Sequence, residues 1–91
     1  MGRYKLVFKK SVAKDLRNLP KKDVARILTC FDAIAADPRG PGCEKLSGRD
    51  RYRMRQGAYR IIYEIHDGLL LVTVVRVGHR RDVYRDRPIH P

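Results

Sequence analysis

Residues 51–60 read Arg51-Tyr-Arg-Met-Arg-Gln-Gly-Ala-Tyr-Arg60. Polar and apolar side chains alternate with a period of two, the signature of a half-buried strand. Gln56-Gly57 is a tight-turn signal, so the stretch predicts a β-hairpin. A two-residue loop at Gln56-Gly57 sets Arg55 opposite Ala58, Met54 opposite Tyr59 and Arg53 opposite Arg60. One face then carries Tyr52, Met54, Tyr59, Ile61, Tyr63 and Ile65. The other carries Arg51, Arg53, Arg55 and Arg60. A slip of one residue would put the whole apolar set in water, so the hydrophobic pattern itself fixes the arginine face. Like charges opposed across two strands destabilise a sheet. Such a face is expected to bind something.

The rest of the chain builds outward from this hairpin. Its second strand is expected over about 58–66, and a third over about Leu69–Val77 after an Asp67-Gly68 turn. The third strand (LLLVTVVRV) is apolar on both faces, which predicts a central position in the sheet. Upstream, Arg3–Phe8 reads as a strand with Tyr4, Leu6 and Phe8 on one side. Ser11 is the expected N-cap of a short helix bearing Val12, Leu16 and Leu19, which Pro20 ends. A second helix begins near Lys21, presents Val24, Ile27, Leu28, Phe31 and Ile34 as a stripe, and stops before Pro38. The expected fold is α+β: an N-terminal strand, a two-helix hairpin, then a three-stranded antiparallel meander in one sheet, with both helices on one face. Ile27, Leu28 and Phe31 should be buried there. Residues 1–91 are read as one domain.

With 43% hydrophobic and 34% charged residues, the 91-residue chain is globular with a heavily charged surface. A formal net charge of +11 attracts polyanions, nucleic acid first and an acidic protein second. Beyond Lys45 the chain uses arginine and no lysine. Arginine's planar fork matches phosphate oxygens and stacks on bases. Glu64 shares the arginine face and would partly neutralise it; the plain alternative is a solvated, screened face. Cys30 reads as helix packing and Cys43 as a loop residue, and neither has metal-ligand spacing. No metal or cofactor is expected. With no signal peptide or long apolar run, the expected location is the cytoplasm, without a membrane partner.

The third strand leads into Val77-Gly-His-Arg-Arg-Asp-Val-Tyr84. Its end lies beside the start of the second strand, so His79, Arg80, Arg81 and Tyr84 can approach Arg60 and Arg53. Arginines with an aromatic ring suit RNA, where cations hold phosphate and the ring stacks on a base. His79 has an equal reading as a turn residue.

Lys45-Leu-Ser-Gly48, Tyr52-Arg-Met-Arg55, Gly57-Ala-Tyr-Arg-Ile-Ile-Tyr63 and Val77–Tyr84 together resemble the RelE family of bacterial toxins, within the RelE/ParE superfamily. The likeness spans the chain from its first strand to Tyr84. It implies a toxin of a type II toxin–antitoxin pair, an endoribonuclease that enters the A site of the 70S ribosome and cuts the mRNA there. It also implies an acidic, RelB-like antitoxin as partner. The family's catalytic positions fall on Arg53, Arg55, Arg60, Arg80 and Tyr84, with Lys45, Arg51, His79 and Arg81 as RNA-binding neighbours. Relatives carry lysine where Arg53 and Arg55 stand. An arginine stays protonated and makes a poor general base, which leaves Tyr84 or His79 for proton transfer. Two other readings share the same surface: a ParE-like inhibitor of DNA gyrase, and an RNA-binding protein without catalysis.

Overall fold

The computed structural model describes residues 3–46 and 51–79. In chain order these form β1 (Lys5–Phe8), α1 (Lys10–Arg17), α2 (Lys21–Ala36), β2 (Cys43–Lys45), β3 (Arg51–Gln56), β4 (Tyr59–His66) and β5 (Leu71–His79), with a single 3₁₀ turn over Asp67–Leu69. The β3–β4–β5 meander is present, but it is part of a larger sheet. Five strands lie in the order β1-β5-β4-β3-β2. β1 adds to one side in parallel with β5, Lys5 beside Leu71 and Phe8 beside Val74. β2 adds to the other side antiparallel to β3, Cys43 beside Met54 and Lys45 beside Tyr52. The sheet is therefore mixed, Cys43 opens a strand instead of lying in a loop, and the middle strand is β4, with β5 one place off centre.

The hairpin register also differs from expectation. Arg55 faces Arg60, Met54 faces Ile61 and Gln56 faces Tyr59. The loop is Gly57-Ala58, not Gln56-Gly57. Gly57 sits at φ +61°, the positive-φ glycine that a type II′ turn takes at its first central position. The difference is two residues along the pair, so side chains keep their faces. The directly opposed cations are Arg55 and Arg60 instead of Arg53 and Arg60.

Helix-side residues Tyr52, Met54, Ile61, Tyr63, Ile65, Val72, Val74 and Val77 pack with Val12, Ile27, Cys30, Phe31 and Ile34 into one core. Leu28 is the exception to the expected stripe and stays half exposed. Between Ile62 and Tyr63 the β4–β5 pairing skips a residue, so Tyr63 faces Val74 while Ile62 faces Arg76. Such a bulge reverses the alternation beyond it. It lets Val72, Val74 and Val77 all point inward, and it turns Arg76 and Gly78 to the other side.

β1 ends opposite Val74, leaving the last residues of β5 with an open edge. Helix α1 closes it: the Lys9 N–H donates to the Val74 carbonyl at 3.0 Å, Ser11 Oγ reaches the Val75 carbonyl at 3.5 Å, and the Val77 N–H donates to Asp15 Oδ2 at 3.0 Å. Ser11 thus lies inside the helix, whose N-cap is Lys9. At the opposite end of the sheet, Arg39 forks onto Asp67 at 2.9 and 3.0 Å. Tyr4 donates to the same carboxylate at 2.8 Å. The Arg39 guanidinium also lies 5.3 Å from the centre of the Tyr52 ring. These groups tie β1, the loop after α2 and the β4–β5 turn together. No helix among the described residues is long and apolar enough to cross a membrane.

Candidate nucleic-acid interface

The register places Arg51, Arg53 and Arg55 of β3, Arg60 of β4 and Arg76 of β5 on the sheet face away from the helices. Arg76 was not singled out from sequence, because only the bulge in β5 brings it there. Arg60 is 8% exposed and stands between Arg55 on β3 and Gly78 on β5. Its Nη1 donates to the Tyr59 carbonyl at 3.1 Å and the Gly57 carbonyl at 3.4 Å. That tether holds the guanidinium at the hairpin tip with its position largely preset, which lowers the entropy lost on binding a phosphate.

Two carboxylates lie in the row. Glu64 accepts from Arg51 Nε at 2.9 Å, as its position on that face suggested. Glu44, which sequence reading passed over, sits opposite Arg53 and accepts from its guanidinium. The Arg53 hydrogen bond and charge hold Glu44 below the usual carboxylate range, and the charges of Arg55 and Arg60 act in the same direction. Glu44 is therefore an ionised acceptor in a field of arginines.

Two sequence-predicted residues lie on the other face. Lys45 pairs with Tyr52 and His79 pairs with Tyr59, so both belong to the helix side. His79 and Tyr59 meet edge to face with ring centres 5.9 Å apart. The Tyr59 hydroxyl donates to Asp23 Oδ2 of α2 at 2.8 Å, and this carboxylate raises the Tyr59 phenol above its ordinary range. Arg80, Arg81 and Tyr84 lie outside the described residues.

An apolar groove of about 380 Å³ runs between the helices, lined by Phe8, Val12, Leu16, Leu28 and Phe31 with Lys9 and Lys10 at its rim. Phe8 is 46% and Leu28 50% exposed there.

A mixed sheet with two helices on one face and a row of arginines on the other defines a small basic α+β protein suited to a polyanion, and comparison with known proteins gives the family. The chain matches the model for "ParE toxin of type II toxin-antitoxin system, parDE" over residues 6–84. It is 31% identical over 86 residues to Toxin RelG of Mycobacterium tuberculosis, covering 90% of this chain and 97% of that one. Toxin RelE of the same organism is 28% identical over 90 residues, covering 97% and 93%. Among solved structures, the toxin–antitoxin complex RelBE2 of M. tuberculosis superposes with a TM-score of 0.79 at 28% identity, over 88% of this chain and 94% of that chain. The intact RelBE complex of E. coli gives 0.73 at 26%, over 84% and 95%. The chain belongs to the RelE/ParE family of type II toxins.

Proposed function

We propose that this toxin is a ribosome-dependent mRNA endonuclease, acting in the cytoplasm on mRNA in the A site of the 70S ribosome. The observation that carries the reading is the row of Arg51, Arg53, Arg55, Arg60 and Arg76 on the helix-free face, with Arg55 and Arg60 directly opposed. RNA supplies its own nucleophile, the 2′-hydroxyl. Cleavage requires that hydroxyl to lose its proton, charge on the phosphorane to be stabilised, and the 5′-oxygen to gain a proton. Arg60, preset at the hairpin tip, and Arg55 opposite it would hold the phosphate. Glu44, ionised among the arginines, is the carboxylate placed to take the proton. The family resemblance adds Arg80 to the clamp and Tyr84 as a stacking or proton-transfer group.

The partner reading follows the relatives, which have been solved in complex with RelB antitoxins. An acidic antitoxin segment with an apolar stripe would suit the groove at Phe8 and Leu28, whose rim is Lys9 and Lys10.

The second reading is a gyrase inhibitor, favoured by the ParE family match. A reporter mRNA incubated with translating ribosomes decides between them. Cuts that need the ribosome and fall about 100-fold or more in Arg60→Ala support the endonuclease. Intact mRNA together with stalled gyrase–DNA complexes would transfer the protein to the second reading, and neither effect would leave a binding protein.

A further inference from the structure

The end of the arginine row away from the hairpin tip carries a second group of titratable side chains. Arg51 stands beside Glu64 across β3 and β4, and His66, two residues beyond Glu64 on the same strand, shares its face. Arg51 Nε donates to Glu64 Oε2 at 2.9 Å. The other carboxylate oxygen, Oε1, lies 3.7 Å from His66 Nε2. The side chains of Arg51, Glu64 and His66 are 34%, 26% and 41% exposed, so all three are open to a ligand on the helix-free face. From His66 the register runs to Leu71 of β5 and on to Lys5 of β1, which adds an exposed ammonium to that face. The backbone just after His66 is pinned, because Arg39 and Tyr4 both hold Asp67.

Along β4 Glu64 is four residues from Arg60, about 13 Å at the usual rise of a strand. The group is therefore separate from the phosphate clamp at the hairpin tip, yet it lies on the same basic face. An imidazole that turns its Nε2–H to a carboxylate keeps a lone pair on Nδ1, the arrangement that makes a histidine a general base. Such contacts are often long before a substrate docks. Glu64 is the carboxylate that sets this tautomer. Among the described residues Arg51 gives Glu64 its Nε alone, which leaves the Nη donors of its fork for a phosphate oxygen. A surface ion pair by itself carries little energy. A base, a group that orients it and a phosphate donor in one cluster are the parts that RNA cleavage by its own 2′-hydroxyl calls for.

We propose that His66, oriented by Glu64, is the general base of a second RNA-cleaving centre, one that cuts single-stranded RNA without the ribosome. The 2′-hydroxyl gives its proton to His66 Nδ1 as its oxygen bonds to phosphorus. The bond from phosphorus to the 5′-oxygen breaks, and that oxygen takes a proton from water. The hydroxide left behind is neutralised by the proton on His66, so the base is restored. The products are a 2′,3′-cyclic phosphate and a 5′-hydroxyl. Arg51 and Lys5, on either side of His66 in the register, meet the charge on the phosphorane. An open sheet face takes an extended single strand, and every group the step uses belongs to this chain or to water.

The test incubates the free, full-length toxin with end-labelled single-stranded RNA of mixed sequence, without ribosomes, and resolves the products by length and end group. The parent should release fragments ending in 2′,3′-cyclic phosphate and leave the all-deoxy strand whole. His66→Gln should slow this cutting by about 100-fold or more, while its melting temperature and its cutting of reporter mRNA on ribosomes stay at the parent's values. His66→Ala should regain activity when imidazole is added. Glu64→Gln should lower kcat with KM little changed, and the ¹⁵N resonances of His66, which should place the proton on Nε2 in the parent, should show mixed tautomers in that variant. Free RNA left whole by the parent, or cut equally by the parent and His66→Gln, overturns the second centre. Loss of ribosome-dependent cutting in a folded His66→Gln overturns its separateness from the first. A parent that cuts free RNA through His66 and does nothing on ribosomes overturns the ribosome-dependent reading and leaves the second centre standing.

Discussion

Arg55 opposes Arg60 across β3 and β4, and it is exposed, so its charge can be removed without opening the core. Arg55→Gln removes the charge and shortens the side chain, leaving one amide that can still donate and accept. Relief of an opposed like-charge pair contributes about 0.2–1 kcal/mol, which for a domain of this size raises Tm by about 1–8 °C. Function should move the other way. One phosphate contact fewer flattens the dependence of log affinity on log salt by about 0.7–0.9. The cleavage rate should fall further, by about 100-fold or more, if the guanidinium meets charge that develops in the transition state. Arg55 also helps to hold Glu44 below the usual carboxylate range, so the acid limb of the pH–rate profile should shift upward. Differential scanning fluorimetry, RNA titrations at several salt concentrations and single-turnover cleavage on ribosomes measure the three effects. A variant that melts no higher, keeps its salt slope and cuts at the parent rate would refute the reasoning that the arginines are crowded together for a phosphate.

Glu44→Gln should leave RNA binding equal or tighter and slow single-turnover cleavage, with the parent's rate surviving into mildly acidic solution and falling only as Glu44 protonates below the ordinary carboxylate range. Tyr63→Phe removes a buried hydroxyl that donates to the Pro38 carbonyl at 2.7 Å; the orphaned carbonyl should lower stability by about 1–3 kcal/mol in urea melts, with cleavage unchanged. Asp67 is held below its ordinary range by Arg39 and then Tyr4, so its contribution to stability is complete above the unfolded carboxylate pKa of about 3.9 and is lost as pH falls through the lower folded value. Asp67→Asn should therefore destabilise the protein at pH 7 and lessen the fall in its urea midpoint from about pH 4 to pH 2.

The hairpin was legible in the sequence because alternation over Arg51–Ile65 allows one assignment of faces, whichever residues make the loop. The arginine row followed from it. The exact register did not, since Gln56-Gly57 and Gly57-Ala58 are both acceptable two-residue loops and a difference of two residues conserves every face. β2 was missed because three residues, Cys-Glu-Lys, carry no periodicity, and with it went Glu44. The parallel pairing of β1 with β5 joins segments some sixty residues apart, and no local pattern announces such a partner. Lys45 and His79, expected among the RNA-binding residues, pair with Tyr52 and Tyr59 on the helix side for different reasons. Lys45 lies on the unrecognised β2, while His79 lies past a bulge that a run apolar on both faces conceals. The same bulge hid Arg76.

The parallel seam between β1 and β5 has a consequence for the birth of the protein. Among the described residues β1, made early, pairs with β5 alone, and α1 finds its backbone partners at Val75 and Val77. Neither can dock until translation has passed residue 79 and that strand has left the exit tunnel. Pairings this distant in sequence are slow to form, and a chain awaiting them exposes apolar surface and unpaired strand edges. The toxin thus emerges unfinished, its arginines strung on a hairpin without a complete sheet behind them. A partner present at that moment would meet a chain still closing, so the order of synthesis gives the producing cell an interval in which to capture it.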